Sequence, residues 1–180
     1  MQDDRLQLAL EETDVLAFLK DIYINFRDSA ENKQINYMFL PFDKSYEMYV
    51  DRSYLDKIAY NLISNALKYT PSKGEVIVSV SLKDEKHLVI SVEDNGVGIE
   101  KNKQDKLFER FNQSSYSHDS IGIGLHLTAE LVRVHHGEIS YKENIPKGSI
   151  FSVELPTDKN VYNEEDFMVA DNIVAVEENS

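Results

Sequence analysis

The residues best suited to chemistry in this chain are Asp94-Asn95-Gly96-Val97-Gly98-Ile99. They follow His87 to Val92, an alternating run that reads as a strand. A strand that stops on a carboxylate, an amide and two glycines leaves one acid at its end and bare backbone beside it. Gly96 and Gly98 can adopt positive φ and admit another group close to the main chain. Asp94 becomes a fixed acceptor at the edge of a pocket, and a plain Asp-Asn-Gly turn is the simpler alternative.

Two other features bear on that choice. Asn61, Asn65 and Lys68 recur at i, i+4 and i+7 and form a stripe on one helix face. Carboxamide oxygens are hard donors suited to Mg²⁺, and a lysine one turn further on can neutralise phosphate. Gly122-Ile123-Gly124 runs directly into a helix. Unpaired N–H groups at a helix start favour phosphate. A strand-end carboxylate can accept the exocyclic amine of adenine. Metal, phosphate and base are thus all provided for.

The elements that must carry these groups can be read in order. Leu6, Leu8 and Leu10 alternate with polar residues and predict a short strand. Thr13 or Asp14 can cap a helix running to about Asn32, its core side marked by Val15, Phe18, Leu19, Ile22 and Phe26. Ile35 to Phe42 reads as a strand, and Tyr49-Val50 as a shorter one. From Ser53 to Tyr69, Leu55, Ile58, Ala59, Leu62, Ile63, Ala66 and Leu67 fill one apolar arc bordered by the asparagine stripe. Glu75 to Leu82 and Glu85 to Val92 form a hairpin through Lys83-Asp84. Residues 100–121 are polar, broken by Leu107, Phe108 and Phe111, and a loop of that length is functional or disordered. A helix over 123–136 buries Leu125, Leu127, Thr128, Leu131, Val132 and Val134. Glu138 to Tyr141 and Ser149 to Leu155 close the fold at Pro156. Residues 157–180 read as an acidic, solvated linker or tail.

Composition sets limits. The 180 residues carry a net charge of −13, which opposes a direct nucleic-acid partner because phosphate backbones need a basic face. A single nucleotide held by a metal ion and backbone N–H groups remains compatible. There is no cysteine, so no disulfide or thiolate site. No apolar run approaches the roughly 20 residues of a membrane span.

In this order the motifs resemble the catalytic and ATP-binding domain of bacterial sensor histidine kinases, a GHKL ATPase group with the Bergerat fold. Asn61-Leu-Ile-Ser-Asn65-Ala-Leu-Lys68-Tyr69-Thr-Pro71 resembles the N box, and Asp94 to Ile99 is similar to the G1 box. Leu107-Phe108-Glu-Arg-Phe111 resembles the F box. Gly122-Ile123-Gly124-Leu125 with His135-His136-Gly137 resembles the G2 region and its helix, and Gly148-Ser-Ile-Phe151 the last glycine box. The resemblance covers residues 6–156 and implies an α/β (α+β) two-layer sandwich, a mixed sheet with about three helices on one face.

It also implies roles. Asn65, with Asn61, would coordinate Mg²⁺; Lys68 would contact phosphate and Tyr69 would line the adenine site. Asp94 would read the adenine amine, with Gly96, Gly98 and Ile99 around the base. Residues 100–121 would form a lid hinged on Phe108 and Phe111. Gly122, Gly124 and the Leu125 N–H would hold the phosphates. Ser120 stands where the G2 pattern has glycine, and Gln113 where members carry Arg or Lys; Arg110 or a lid lysine would take over that contact.

The family's phosphoacceptor is a histidine on a dimerisation helix. His87, His118, His126, His135 and His136 do not fit it, and His135 and His136 close a helix where positive charge suits the dipole. The expected partners are therefore ATP, a histidine-bearing dimerisation domain and a response-regulator receiver domain. The resemblance places the chain in the cytoplasm, meeting a membrane only through a full-length parent. The HHGEI ending also resembles hybrid kinases, in which a receiver follows. A degenerate, non-catalytic interaction module and an anti-sigma-type serine kinase on the same fold are the rivals.

Overall fold

The computed structural model describes residues 6–110 and 121–168. The strands are β1 (Glu11–Asp14), β2 (Asn36–Pro41), β3 (Glu47–Val50), β4 (Glu75–Lys83), β5 (His87–Asp94), β6 (Glu138–Glu143) and β7 (Ser149–Pro156). The helices are α1 (Val15–Asn25), α2 (Arg27–Asn32), α3 (Arg52–Tyr69), α4 (Lys101–Gln104) and α5 (Ile121–Val134). Two 3₁₀ turns follow, Lys159–Val161 and Glu164–Asp166.

The main sheet has the order β2-β4-β5-β7-β6. Only β2 and β4 are parallel in it; the other pairs are antiparallel. One face is dry: Val76, Val78 and Val80 of β4, Leu88, Ile90 and Val92 of β5, and Val153 and Leu155 of β7 are at most 2% exposed. The alternate residues of the same strands are half-exposed, as period-two patterning requires for a sheet covered on one side. The long helices α1, α3 and α5 cover the dry face, so the fold is the expected two-layer mixed-sheet sandwich. The apolar arc of α3 is buried as read, with Leu55, Ile58, Leu62 and Ile63 at 0–1% exposure. Each such side chain contributes about 1.5–3 kcal/mol of burial.

Four elements differ from the sequence reading. The N-terminal strand is shifted: residues 6–9 are not a strand and Glu11–Asp14 is, because only the latter meets a partner, β3. Leu10 alone of the three leucines is buried, and the N–H of Ala9 goes to the Asp51 carboxylate. The first helix is broken at Phe26, whose N–H bonds back to Tyr23 O rather than one residue further. Its ring packs on Tyr60 at 5.0 Å, and the break turns Ala30 of α2 to the core. The β4–β5 turn falls at 84–86, with Asp84 and Glu85 both at positive φ (48° and 60°). Leu127 is 39% exposed, not buried.

The chain beyond Pro156 does not leave the fold at once. Tyr162 is buried, Phe167 stacks edge-on against Tyr49 at 5.2 Å, and Phe167 pairs with Leu10 in a parallel bridge. The solvated tail expected from 157 onward therefore does not describe residues 157–168. Among the described residues no helix is long and apolar enough to cross a membrane.

Candidate functional site

Asp94 is the last residue of β5, and its register places it between Val76 of β4 and Ser149 of β7. It is 6% exposed. Its Oδ1 accepts the Gly96 N–H at 2.9 Å. Burial pushes its carboxyl pKa above the usual range, against the N–H groups of Gly96 and Ser149, which favour the anion. The acid opens on a cavity of about 160 Å³ that Asn65, Ala66, Tyr69, Val97, Gly98, Ile99, Glu100, Lys103, Ser149 and Phe151 also line. A cavity of about 150 Å³ with apolar walls can hold benzene. This one has Ile99, Val97, Ala66 and Phe151 as walls and a carboxylate on one side, which suits a flat ring bearing an N–H donor. Among the described residues, the Tyr69 hydroxyl is buried without a hydrogen-bond partner, an orphan polar atom beside that space.

The glycines build the cavity rather than merely vacate it. A Cβ on Gly96 would lie 2.4 Å from the carbonyl oxygen of Tyr69, so Gly96 lets the β5 end meet the end of α3. The Val97 N–H then donates to that carbonyl at 3.3 Å. Gly98 has φ +71° and packs on Gly148, itself at φ +118°. Gly96 thus has a packing reason of its own. Asn144 closes the same corner, its Nδ2 donating to Asp94 O at 2.9 Å.

A second cluster joins α3 to α5. The Asn61 Nδ2 donates to Gly124 O at 3.3 Å and to Thr128 Oγ1 at 3.1 Å. The Thr128 hydroxyl also donates to Gly124 O at 2.7 Å. Asn61 thereby keeps only Oδ1 as a hard donor, whereas Asn65 lines the cavity. With α5 starting at Ile121, its unpaired N–H groups are those of the first turn, which includes Gly122. The Leu125 N–H lies one residue past that turn, and its side chain is fully buried. Lys68 is exposed, outside the cavity lining, with its Nζ 5.2 Å from the Tyr69 ring.

The described part of the polar segment after Ile99 is held by side-chain contacts at Gln104 and Phe108. Gln104 Nε2 donates to Ile99 O and to Glu143 Oε1, both at 2.8 Å. Phe108 packs edge-on to Phe151 at 6.3 Å. His126 Nδ1 reaches Phe108 O at 3.2 Å. Arg110 is exposed. Phe111, Gln113, His118 and Ser120 lie outside the described residues. His135 does close α5, but not as a cation: it is 0% exposed and burial pushes its pKa down.

The sequence reading brought Asn65, Tyr69, Asp94, Gly98 and Ile99 into one site, and they do meet. Ser149 and Phe151 line the cavity beyond the expected set, Gln104, Glu143 and Asn144 brace it, and Lys103 is one of the lid lysines expected to contact phosphate. Phe151 and Ser149 had a signal, since they sit in the quoted Gly148-Ser-Ile-Phe151. Glu143 of β6 and Asn144 in the turn after it had none, because the β6–β7 pairing carries them there.

The profile of the histidine kinase-, DNA gyrase B-, and HSP90-like ATPases matches residues 50–159. Histidine kinase P4 of Formosa agariphila is 34% identical over 164 residues, covering 87% of this chain but 12% of that protein. The nucleotide-free catalytic domain of histidine kinase ThkA superposes with TM-score 0.75 at 20% identity, covering 83% of this chain and 99% of that one. ThkA in complex with the response regulator TrrA superposes with TM-score 0.69 at 20% identity, covering 83% of this chain and 42% of that one. Full-length ShkA in complex with AMPPNP gives TM-score 0.73 at 25% identity, covering 84% of this chain and 32% of that one. The chain spans a small fraction of its full-length relatives, and with its profile match over more than half its length it belongs to the histidine kinase-, DNA gyrase B-, and HSP90-like ATPase family.

Proposed function

We propose that this chain is the nucleotide-binding part of a sensor histidine kinase, binding ATP with Mg²⁺ and donating the γ-phosphoryl group to a histidine on a separate dimerisation domain. The observation that carries this is the buried Asp94 carboxylate facing an apolar-walled cavity of about 160 Å³. Asp94 accepts the adenine amine while Ile99, Val97 and Phe151 cover the ring. Asn65, with the Oδ1 of Asn61, holds Mg²⁺, which when bound neutralises charge on the phosphate oxygens. The first turn of α5, with Gly122 and Gly124, supplies N–H groups to the phosphates. Lys103 lines the cavity and is the lid lysine best placed to reach the nucleotide. The phosphoryl then passes to a response-regulator receiver domain, a partner supported by the ThkA–TrrA complex of a structural relative.

ATP titration with and without Mg²⁺, on the parent and on Asp94→Asn, tests the first half. Saturable binding that weakens at least tenfold in the variant supports it; equal affinity of both proteins rejects the role of Asp94. No binding at millimolar ATP favours a degenerate interaction module. Incubating the domain with labelled ATP and either a histidine-bearing dimerisation domain or a protein serine substrate tests the second half. An acid-labile product supports histidine as acceptor, and an acid-stable one the serine-kinase alternative.

A further inference from the structure

Three buried groups from distant parts of the chain meet where α3 begins and α5 ends. The Asp51 N–H donates to His135 Nε2 at 3.1 Å. His135 Nδ1 donates to Leu131 O at 2.8 Å, which makes Nε2 the acceptor and the ring neutral. The Tyr162 hydroxyl donates to the His135 carbonyl at 2.8 Å. Asp51, His135 and Tyr162 are 5%, 0% and 8% exposed. The Asp51 carboxylate also caps α3 through the Tyr54 N–H and takes the Ala9 N–H.

Tyr162 is held in place from outside. Its ring lies 5.4 Å from His136 and 6.4 Å from Phe167. Leu10 N–H donates to Asp166 O and Met168 N–H to Leu10 O, both at 2.8 Å. The segment after Pro156 is thus zipped to the segment before β1. Tyr162 lies beyond the stretch 50–159 that the family profile matches.

The carbonyl that Tyr162 satisfies is one of those a helix end leaves unpaired. At its opposite end α5 is tied to α3 by Asn61, through Gly124 O and Thr128 Oγ1. The helix is therefore tied to α3 near both ends. We propose that Tyr162 is a positioning residue for the nucleotide site: through His135 and Asp51 it sets α5 on α3, and so sets where the first turn of α5 meets the phosphates. The segments on either side of the domain then both bear on that placement. This inference rests on the reading of the α5 first turn as the phosphate-holding element.

Tyr162→Phe keeps the ring and its contacts and removes only the hydroxyl. ATP and adenosine are titrated against parent and variant, at a temperature where both melt far above, and amide exchange is followed in both without ligand. A lost hydrogen bond corresponds to about three- to tenfold in an equilibrium. The expected result is ATP weakened by about that factor, adenosine unchanged because it uses only the Asp94 cavity, and faster exchange in α5. Equal weakening of both ligands, which a general loosening would give, overturns the proposal, as does unchanged ATP affinity. If the parent binds neither ligand, the reading of the site has failed separately. The link to α5 then stands or falls on the exchange data, unaltered protection of 124–134 overturning it.

Discussion

A Cβ on Gly148 would lie 2.0 Å from the carbonyl oxygen of Asp94. No shift of a flexible side chain can relieve that contact, because a Cβ is fixed to the main chain and its neighbour is a backbone oxygen. Gly148 also sits at φ +118°, where L side chains are strained. Gly148→Ala should therefore destabilise the fold by about 3 kcal/mol or more and push the β6–β7 turn away from Asp94. Thermal melting checks the first effect. Adenosine titration checks the second, with loss of binding expected even where the variant stays folded.

Asp94 connects the fold to pH. Burial raises its pKa in the folded state, so its ionised form opposes folding. Its contribution to stability is present below its unfolded pKa and is lost as pH rises through the raised, folded one. Ligand binding has the opposite sign, since the carboxylate is the acceptor. Adenosine affinity should fall as pH drops through the folded pKa, at a higher pH than an ordinary carboxylate would set. Asp94→Asn should abolish that pH dependence while keeping the melting temperature close to the parent's. An unchanged affinity profile in the variant would remove Asp94 from the recognition step.

Gly124 separates function from packing. The nearest atom to a Cβ there is Asn61 Cγ at 3.8 Å, an ordinary contact. Gly124→Ala should accordingly raise stability, by about 0.5–1 kcal/mol for a helical glycine replaced by alanine. ATP affinity should drop severalfold while adenosine affinity holds, if phosphates approach the backbone at that turn. Melting and the two titrations give the answer from one variant.

What the sequence made legible follows from how far each signal travels. Apolar periodicity places α3 and α5 because each position reports its own burial, as Leu55, Ile58 and Leu62 do. Asp94 was findable because a strand-end acid and two glycines are adjacent in sequence. Leu6 and Leu8 misled because alternation says nothing about a pairing partner, and among the described residues β3 pairs with Glu11–Asp14. Glu143 is set opposite Ser149 by the β6–β7 register and Asn144 follows it in the turn, a placement that no local pattern encodes. His135 was assigned to the right place for the wrong reason. Its position at a helix end suggested a cation, and only the contacts to Asp51 and Leu131 make it neutral.

Gln104 and Glu143 give the segment after Ile99 a fixed point. The bond is exposed and to a charged acceptor, so its net contribution is about 1 kcal/mol. Gln104→Ala also loses the bond to Ile99 O. The variant should release nucleotide about three- to tenfold faster, with little change in melting temperature. Stopped-flow displacement of a fluorescent ATP analogue measures this. An unchanged off-rate would mean that the contact does not retain the ligand.

His135 sets a second pH dependence, in the opposite direction to Asp94. Its Nε2 must accept from the Asp51 N–H, and a proton there would oppose one donor to another. Burial depresses its pKa in the fold. The unfolded chain therefore binds more protons as pH falls below the ordinary histidine value, and stability drops across the window down to the depressed folded pKa. The melting temperature should fall between about pH 8 and about pH 5 by more in the parent than in His135→Gln. The variant should be less stable at neutral pH, by about 2–4 kcal/mol, since glutamine cannot keep both ring bonds in a fully buried site. If the parent and the variant lose stability in parallel on acidification, other histidines or carboxylates carry the effect, and the neutral-ring account of the α3–α5 junction is wrong.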